Sequence, residues 1–216
     1  KRKRPPPLSF VFKYPRGVQG ADSPPLWPIN PVLHEICASA PGHPRPSLRN
    51  QVQHDTQTSM DLDPRWKFAA DTVMGGVSQG YMSHELFHGR MATVLRGDVS
   101  LANNGGFVQI NFDLCPDGGC FDASAWDGVA FDLWGNGESY DIRLRTDQLT
   151  RPWQSFRSEI STNGTWQTLH VPFATLTAHK TDVTFDRARL RRIGIVAIGR
   201  VFHAEVAIAR TRLYHS

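Results

Sequence analysis

The sequence predicts an all-β fold, and three observations carry that reading. Apolar and polar residues alternate over short stretches, turn-forming residues interrupt them at close intervals, and helical periodicity is nearly absent. Phe107 to Phe112 reads as a strand running toward a Pro116-Asp117-Gly118-Gly119 loop. Val129, Phe131 and Leu133 alternate with Ala130, Asp132 and Trp134, the period of two that marks one buried face. After the turn Gly135-Asn136-Gly137 comes a second alternating strand. Tyr140, Ile142, Leu144 and Thr146 fall on one side of it, with Asp141, Arg143, Arg145 and Asp147 on the other. Phe156 to Ile160 and Trp166 to Val171 continue the pattern around Asn163-Gly164. Ile193 to Ile198 is more uniformly apolar, as expected of a strand buried on both faces. Val206 to Leu213 closes the chain. Asp182 to Arg192 is the one stretch that offers a helical turn, with Phe185 and Leu190 available for packing. Many short strands of this kind imply a β-sandwich or barrel.

Charge and proline divide the chain in two. Residues 1–59 hold eight Lys/Arg against three Asp/Glu, whereas residues 60–216 hold sixteen against seventeen. The basic pI of 9.2 therefore belongs to the first segment and does not argue for a nucleic-acid-binding domain. Eleven of the fifteen prolines precede Met60, a density that opposes regular structure, so residues 1–59 are expected to be a disordered Pro-rich basic tail. Met60 is the first methionine, which suggests an over-extended reading frame with a natural start there. The longest apolar run of the tail, Leu8 to Phe12, falls short of a secretory core of roughly 7–15 residues. No stretch approaches the roughly 20 apolar residues that span a bilayer. Cys115 and Cys120 flank the Pro-Asp-Gly-Gly loop without zinc-site spacing and read as free thiols.

The most distinctive residues are two glycine-rich corners. The first is Trp66–Ser78 (WKFAADTVMGGVS), with Asp71, Met74, Gly75, Gly76 and Ser78; the second is Gly97–Phe107 (GDVSLANNGGF), with Asn103, Asn104, Gly105 and Gly106. Paired glycines permit positive φ and close approach of another chain. Asp and Asn cap turns and tolerate left-handed backbone, so architecture explains most of these positions. The corners resemble those of the complex I intermediate-associated protein 30 family. Asp127–Tyr140 (DGVAFDLWGNGESY), Trp166–Phe173 (WQTLHVPF) and Ile193-Gly194-Ile195 follow in the family's order, so the resemblance runs over roughly residues 63–214. It implies a galactose-binding-like jelly-roll β-sandwich over residues 60–216. For mitochondrial members it implies a role as assembly chaperone of respiratory complex I (NADH:ubiquinone oxidoreductase). Related sandwiches carry structural calcium near such loops, where Asp71 is the candidate ligand, but no metal is assigned.

Signals for catalysis are weak. The chain has no Gly-x-Ser-x-Gly elbow, and neither Gly135-Asn136-Gly137 nor Gly75-Gly76 completes a nucleotide-binding motif. His84 and His88 would share a face if both lay in one strand, but an ordinary surface pair is the simpler reading. Asp132, Asp141 and Glu159 are expected on neighbouring strands facing one way. The interleaved Arg143, Arg145 and Arg157 would lower their pKa, where glycoside hydrolysis needs one raised. A charge-paired outer face is the expectation, and no enzyme activity or cofactor is assigned. Arg187, Arg189, Arg191 and Arg192 form a local basic cluster, read as a solvated loop face ahead of an anion site.

Binding remains. Asp132, Trp134, Arg143, Arg145, Trp153 and Arg157 are expected to share the face opposite the core. Aromatics mixed with arginines suit a protein interface; an indole with Arg and Asp also suits a sugar; or the tryptophans simply cover the sandwich edge. The expectation is a non-catalytic, cytoplasmic, bacterial-type member binding a protein partner, with a carbohydrate-binding module as the alternative.

Overall fold

The computed structural model describes residues 58–216. Two six-stranded antiparallel sheets pack face to face. Sheet I runs β3 (Gln79–Phe87), β4 (Arg90–Val99), β12 (Phe202–Tyr214), β6 (Gly128–Gly135) and β9 (Gln167–Pro172), with β1 (Ser59–Asp61) also paired to β12. Sheet II runs β10 (Thr177–His179), β8 (Ser155–Ser161), β7 (Ser139–Thr146), β11 (Leu190–Ile198), β5 (Phe107–Asp113) and β2 (Lys67–Ala70). The alternation read from the sequence sets the core. Phe131, Leu133, Leu95 and Val206 from sheet I meet Ile110, Phe112, Ile142, Leu144 and Ile195 from sheet II, all essentially without solvent exposure. Each such side chain contributes about 1.5–3 kcal/mol relative to exposure. The fold is a jelly-roll β-sandwich, and Ile193 to Ala197 is indeed buried throughout.

The expected tail lies outside the described residues up to position 57. Thr58 and Ser59 belong to the domain: Thr58 accepts a main-chain hydrogen bond from His215 (2.9 Å) and Ser59 pairs with Tyr214.

Three local expectations change. Gly135-Asn136-Gly137 does not join two strands of one sheet; it carries the chain from β6 in sheet I to β7 in sheet II. Gly135 sits against Thr162, where an added Cβ would fall 2.5 Å from the threonine Cγ2, and Gly137 takes φ +89°. Asn136 ties the corner down, bonding the carbonyls of His203 through its side chain (2.8 Å) and Glu205 through its N–H (3.1 Å). Its Oδ1 accepts from the buried Tyr140 hydroxyl at 2.6 Å. Asn163-Gly164 crosses back, from β8 in sheet II to β9 in sheet I, and Gly164 N–H donates to Gly135 O across the two corners (2.8 Å). In Asp182 to Arg192 only Arg187–Arg189 turns as a short 3-10 helix, and Leu190 already begins β11. Phe185 does pack, edge-on to Phe156 at 5.0 Å.

Candidate functional site

The two glycine corners form one structure around Asp71. Each carries the chain between sheets, β2 to β3 through the 3-10 turn Asp71–Met74 and β4 to β5 through Ala102–Asn104. The Asp71 side chain is fully buried. Oδ1 accepts from Ser78 N–H at 3.0 Å; Oδ2 accepts from the Ser78 hydroxyl, Gly106 N–H and Phe107 N–H at 2.5, 2.5 and 3.2 Å. Burial alone would raise its pKa, but these four donors outweigh burial and hold it below the usual carboxylate range. Gly76 and Gly105 are glycines for lack of space: a Cβ at either would overlap the carboxylate, at 2.3 and 2.5 Å. Asn103 and Asn104 take φ +56° and +57°, the left-handed backbone that Asn accepts. With four protein donors on its two oxygens, Asp71 acts as a clamp between turns.

What the clamp displays is apolar. Val73 is 77% exposed, Met74 64%, Leu101 49% and Val77 42%, all on the turns it joins or beside them.

The six residues expected to share one face do not. Arg143, Arg145 and Arg157 lie on the outer face of sheet II, with half-exposed Trp153 on the loop between β7 and β8. Asp132 and Trp134 lie on β6, facing out from sheet I on the opposite side of the molecule. The cause is the sheet-crossing corner at Gly135–Gly137: alternation fixes which side of a strand is outward, not which sheet holds it. Asp132 there is bound by Arg212 (3.1 and 3.2 Å) and the Thr168 hydroxyl (2.7 Å). Burial pushes its carboxyl up, but those bonds more than offset it and leave the pKa lowered. Trp134 donates to Gly164 O (2.7 Å), stacks on His88 with ring centres 5.0 Å apart, and meets Phe87 edge-on. It is a packed residue of a small cluster with Trp166, Ala92, Val94 and Ala207. His88 lies past the end of β3 in a turn, at φ +44°, and does not pair with His84. The supposed carboxylate set is likewise divided, and Asp141 is bound by Arg143 at 3.0 Å and Arg157 at 2.9 Å.

Sheet II presents a groove of about 360 Å³ on its outer face. Its floor is Gly194 of β11, which stands in register between Asn111 of β5 and Arg143 of β7, so a missing side chain leaves a trench between two polar ones. One row along, Arg192 stands opposite Arg145 and bonds Asp113 through both Nε (2.7 Å) and an Nη (3.1 Å). Arg145 spans to the flanking loop, donating to Leu149 O (3.0 Å) and Pro152 O (2.6 Å). Arg191 reaches the same groove because of a β-bulge. Leu190 and Ile193, three apart, both point into the core, so one residue between them is extruded from the ladder. The four arginines of Arg187 to Arg192 therefore do not form one cluster: Arg187 goes to Asp127 and Arg189 to Asp147, whereas Arg191 and Arg192 both line the groove, Arg192 while paired with Asp113. Sequence reading missed Asn111, Ser155 and Arg191 as a set. The break in alternation at Leu190-Arg191-Arg192-Ile193 was the available signal.

Residues 54–206 match the sequence profile of the complex I intermediate-associated protein 30 family, over most of the chain. The chain belongs to that family. No curated protein matches it. Among solved structures, this family member is similar to the family 11 carbohydrate-binding module of Clostridium thermocellum, seen in complex with a β-1,3-1,4-mixed-linked tetrasaccharide. The identity is 14%, the TM-score 0.56, and the match covers 72% of this chain and 94% of the module. A family 30 carbohydrate-binding module is similar at 15% identity and TM-score 0.52, over 73% and 86%. At such identities the likeness shows a shared sandwich. Among the described residues of this member of the complex I intermediate-associated protein 30 family, no helix is long and apolar enough to cross a membrane.

Proposed function

We propose that the domain is a non-catalytic protein-binding module acting in the cytosol as an assembly factor of respiratory complex I or a related membrane complex. Family membership supports this, and the observation that carries it is the apolar display on the Asp71-clamped turns. Exposed Val73, Met74 and Leu101 on a backbone fixed by four bonds to one buried carboxylate are preorganised anchors. Binding of this kind shields apolar surface of an intermediate without any reacting group.

The test is crosslinking pull-down with the full chain from its native host, read by mass spectrometry. Complex I subunits or assembly proteins are expected with the wild type and are expected to be depleted with Val73→Ser/Met74→Ser. Absence of such proteins from a host that possesses complex I would overturn the reading.

A carbohydrate-binding module is the second reading, favoured by the solved modules that share the sandwich. Against it, no aromatic ring among the described residues lines the sheet II groove, and Trp134 is committed to Gly164, His88 and Phe87. Quenching of tryptophan fluorescence by the mixed-linked tetrasaccharide would reverse the preference.

A further inference from the structure

The sheet II groove is rich in positive charge. Four arginines line it, Arg143, Arg145, Arg191 and Arg192, and among the described residues no carboxylate does. Two of the four are neutralised from beside the groove, Arg143 by Asp141 and Arg192 by Asp113. The other two, Arg145 and Arg191, have no carboxylate partner among the described residues. Arg145 is half-buried, and its guanidinium pKa is lowered first by burial and then by Arg192 and Arg191. Like charges gathered on a partly desolvated surface cost free energy until an opposite charge arrives.

A second observation points the same way. Two buried polar atoms along this groove lack a hydrogen-bond partner among the described residues, Ser155 Oγ and Arg191 Nε, and Ser155 is only 3% exposed. Buried donors are seldom left unpaired in folded proteins. Here one belongs to Arg191 itself, and the other, Ser155 Oγ, is on a residue that lines the groove together with Arg145.

We propose that this groove seats an acidic peptide segment, its carboxylates taken by Arg145 and Arg191 and its main chain by the amides of Asn111 and Gln109 across the Gly194 floor. The guanidinium fork matches a carboxylate with two parallel bonds. Side-chain amides both donate and accept, as a peptide backbone requires. A phosphate site typically adds main-chain N–H groups at a helix N-terminus or nest; the floor here is sheet, whose N–H groups are spent on the β5–β11–β7 ladder. The first segment, residues 1–59, has eight basic residues against three acidic, the opposite of the composition an acidic ligand needs. The proposal names the partner chemistry for the protein-binding reading above and rests on it.

The experiment is fluorescence anisotropy on the full chain with a short labelled oligoglutamate, against oligoglutamine, inorganic phosphate and phosphatidylglycerol vesicles. Oligoglutamate is expected to bind alone and to weaken as salt rises. Arg191→Gln breaks no hydrogen bond of its side chain among the described residues and is expected to weaken binding by about tenfold or more. Arg145→Gln loosens the 149–154 loop as well, so Arg191→Gln carries the inference if that variant misfolds. Arg90→Gln, on sheet I, is expected to change nothing. Equal binding to wild type and Arg191→Gln, or binding of phosphate or vesicles in place of the peptide, overturns the proposal. Pull-down with Arg191→Gln separates the two readings. If wild type and variant recover the same complex I proteins, the groove proposal fails and the protein-binding reading stands. If oligoglutamate binds through Arg191 while the wild type recovers none of those proteins, the assembly reading fails alone.

Discussion

Ser78 holds Asp71 at both carboxylate oxygens, through its main-chain N–H at 3.0 Å and its hydroxyl at 2.5 Å. Together with Gly106 and Phe107, it makes this aspartate the joint between two turns that lie some thirty-five residues apart in the chain. Asp71→Asn keeps the volume but points an N–H₂ at groups that themselves donate. The variant is expected to lose about 3 kcal/mol, roughly 6–12 °C in Tm for a domain of this size, measured by circular dichroism.

The same joint sets a pH dependence. The folded pKa of Asp71 is depressed, so its contribution is complete above the unfolded value of about 3.9 and is lost as pH falls toward the folded one. Asp71→Asn has no such proton to take up. The stability gap between wild type and variant is therefore expected to be constant from neutral pH to about 5 and to narrow below about 4. Urea titrations at a series of pH values read this directly; a gap that widens on acidification would contradict the assignment.

Two glycines separate space from backbone strain. Gly76→Ala drives a Cβ into the Asp71 carboxylate and is expected to cost about 3 kcal/mol or more. Gly89→Ala meets no atom within 4 Å but must hold φ near +80°, an expected cost of about 1–2 kcal/mol. Equal losses in denaturant melts would refute the distinction.

Trp134→Ala is expected to destabilise by about 2–3 kcal/mol, because it removes the bond to Gly164 and the contacts with His88 and Phe87 on a half-buried surface. Oligoglutamate affinity is expected to stay at the wild-type value, since Trp134 faces away from sheet II. Thermal unfolding and anisotropy on one sample check both halves.

Which side of each strand is buried was legible in the alternation at Val129–Leu133 and Tyr140–Leu144, because a period of two is a local property. Sheet membership was not. Gly135–Gly137 and Asn163-Gly164 carry ordinary turn residues, and only contacts with Thr162, His203 and Glu205, distant in sequence, make them crossings. The candidate patch split for that reason. Arg143, Arg145 and Arg157 were found on one face because they sit on adjacent paired strands of a single sheet. Arg191 was legible as part of a basic run but not as a lining of the sheet II groove, because a bulge depends on where Leu190 and Ile193 must both go, which the core decides. The corner residues were read as turn-formers from Asp and Asn chemistry, but nothing local says that one aspartate serves both.

The separation between Asp71 and its second set of donors has a consequence for the order of events during synthesis. Gly106 and Phe107 emerge long after Asp71, and they reach it only when β4 and β5 have taken their places in opposite sheets. Contacts of such long range form late in folding. Val73, Met74 and Leu101 thus take their final arrangement only once both turns have closed on Asp71, so if they are the anchors proposed above, an incomplete domain lacks them.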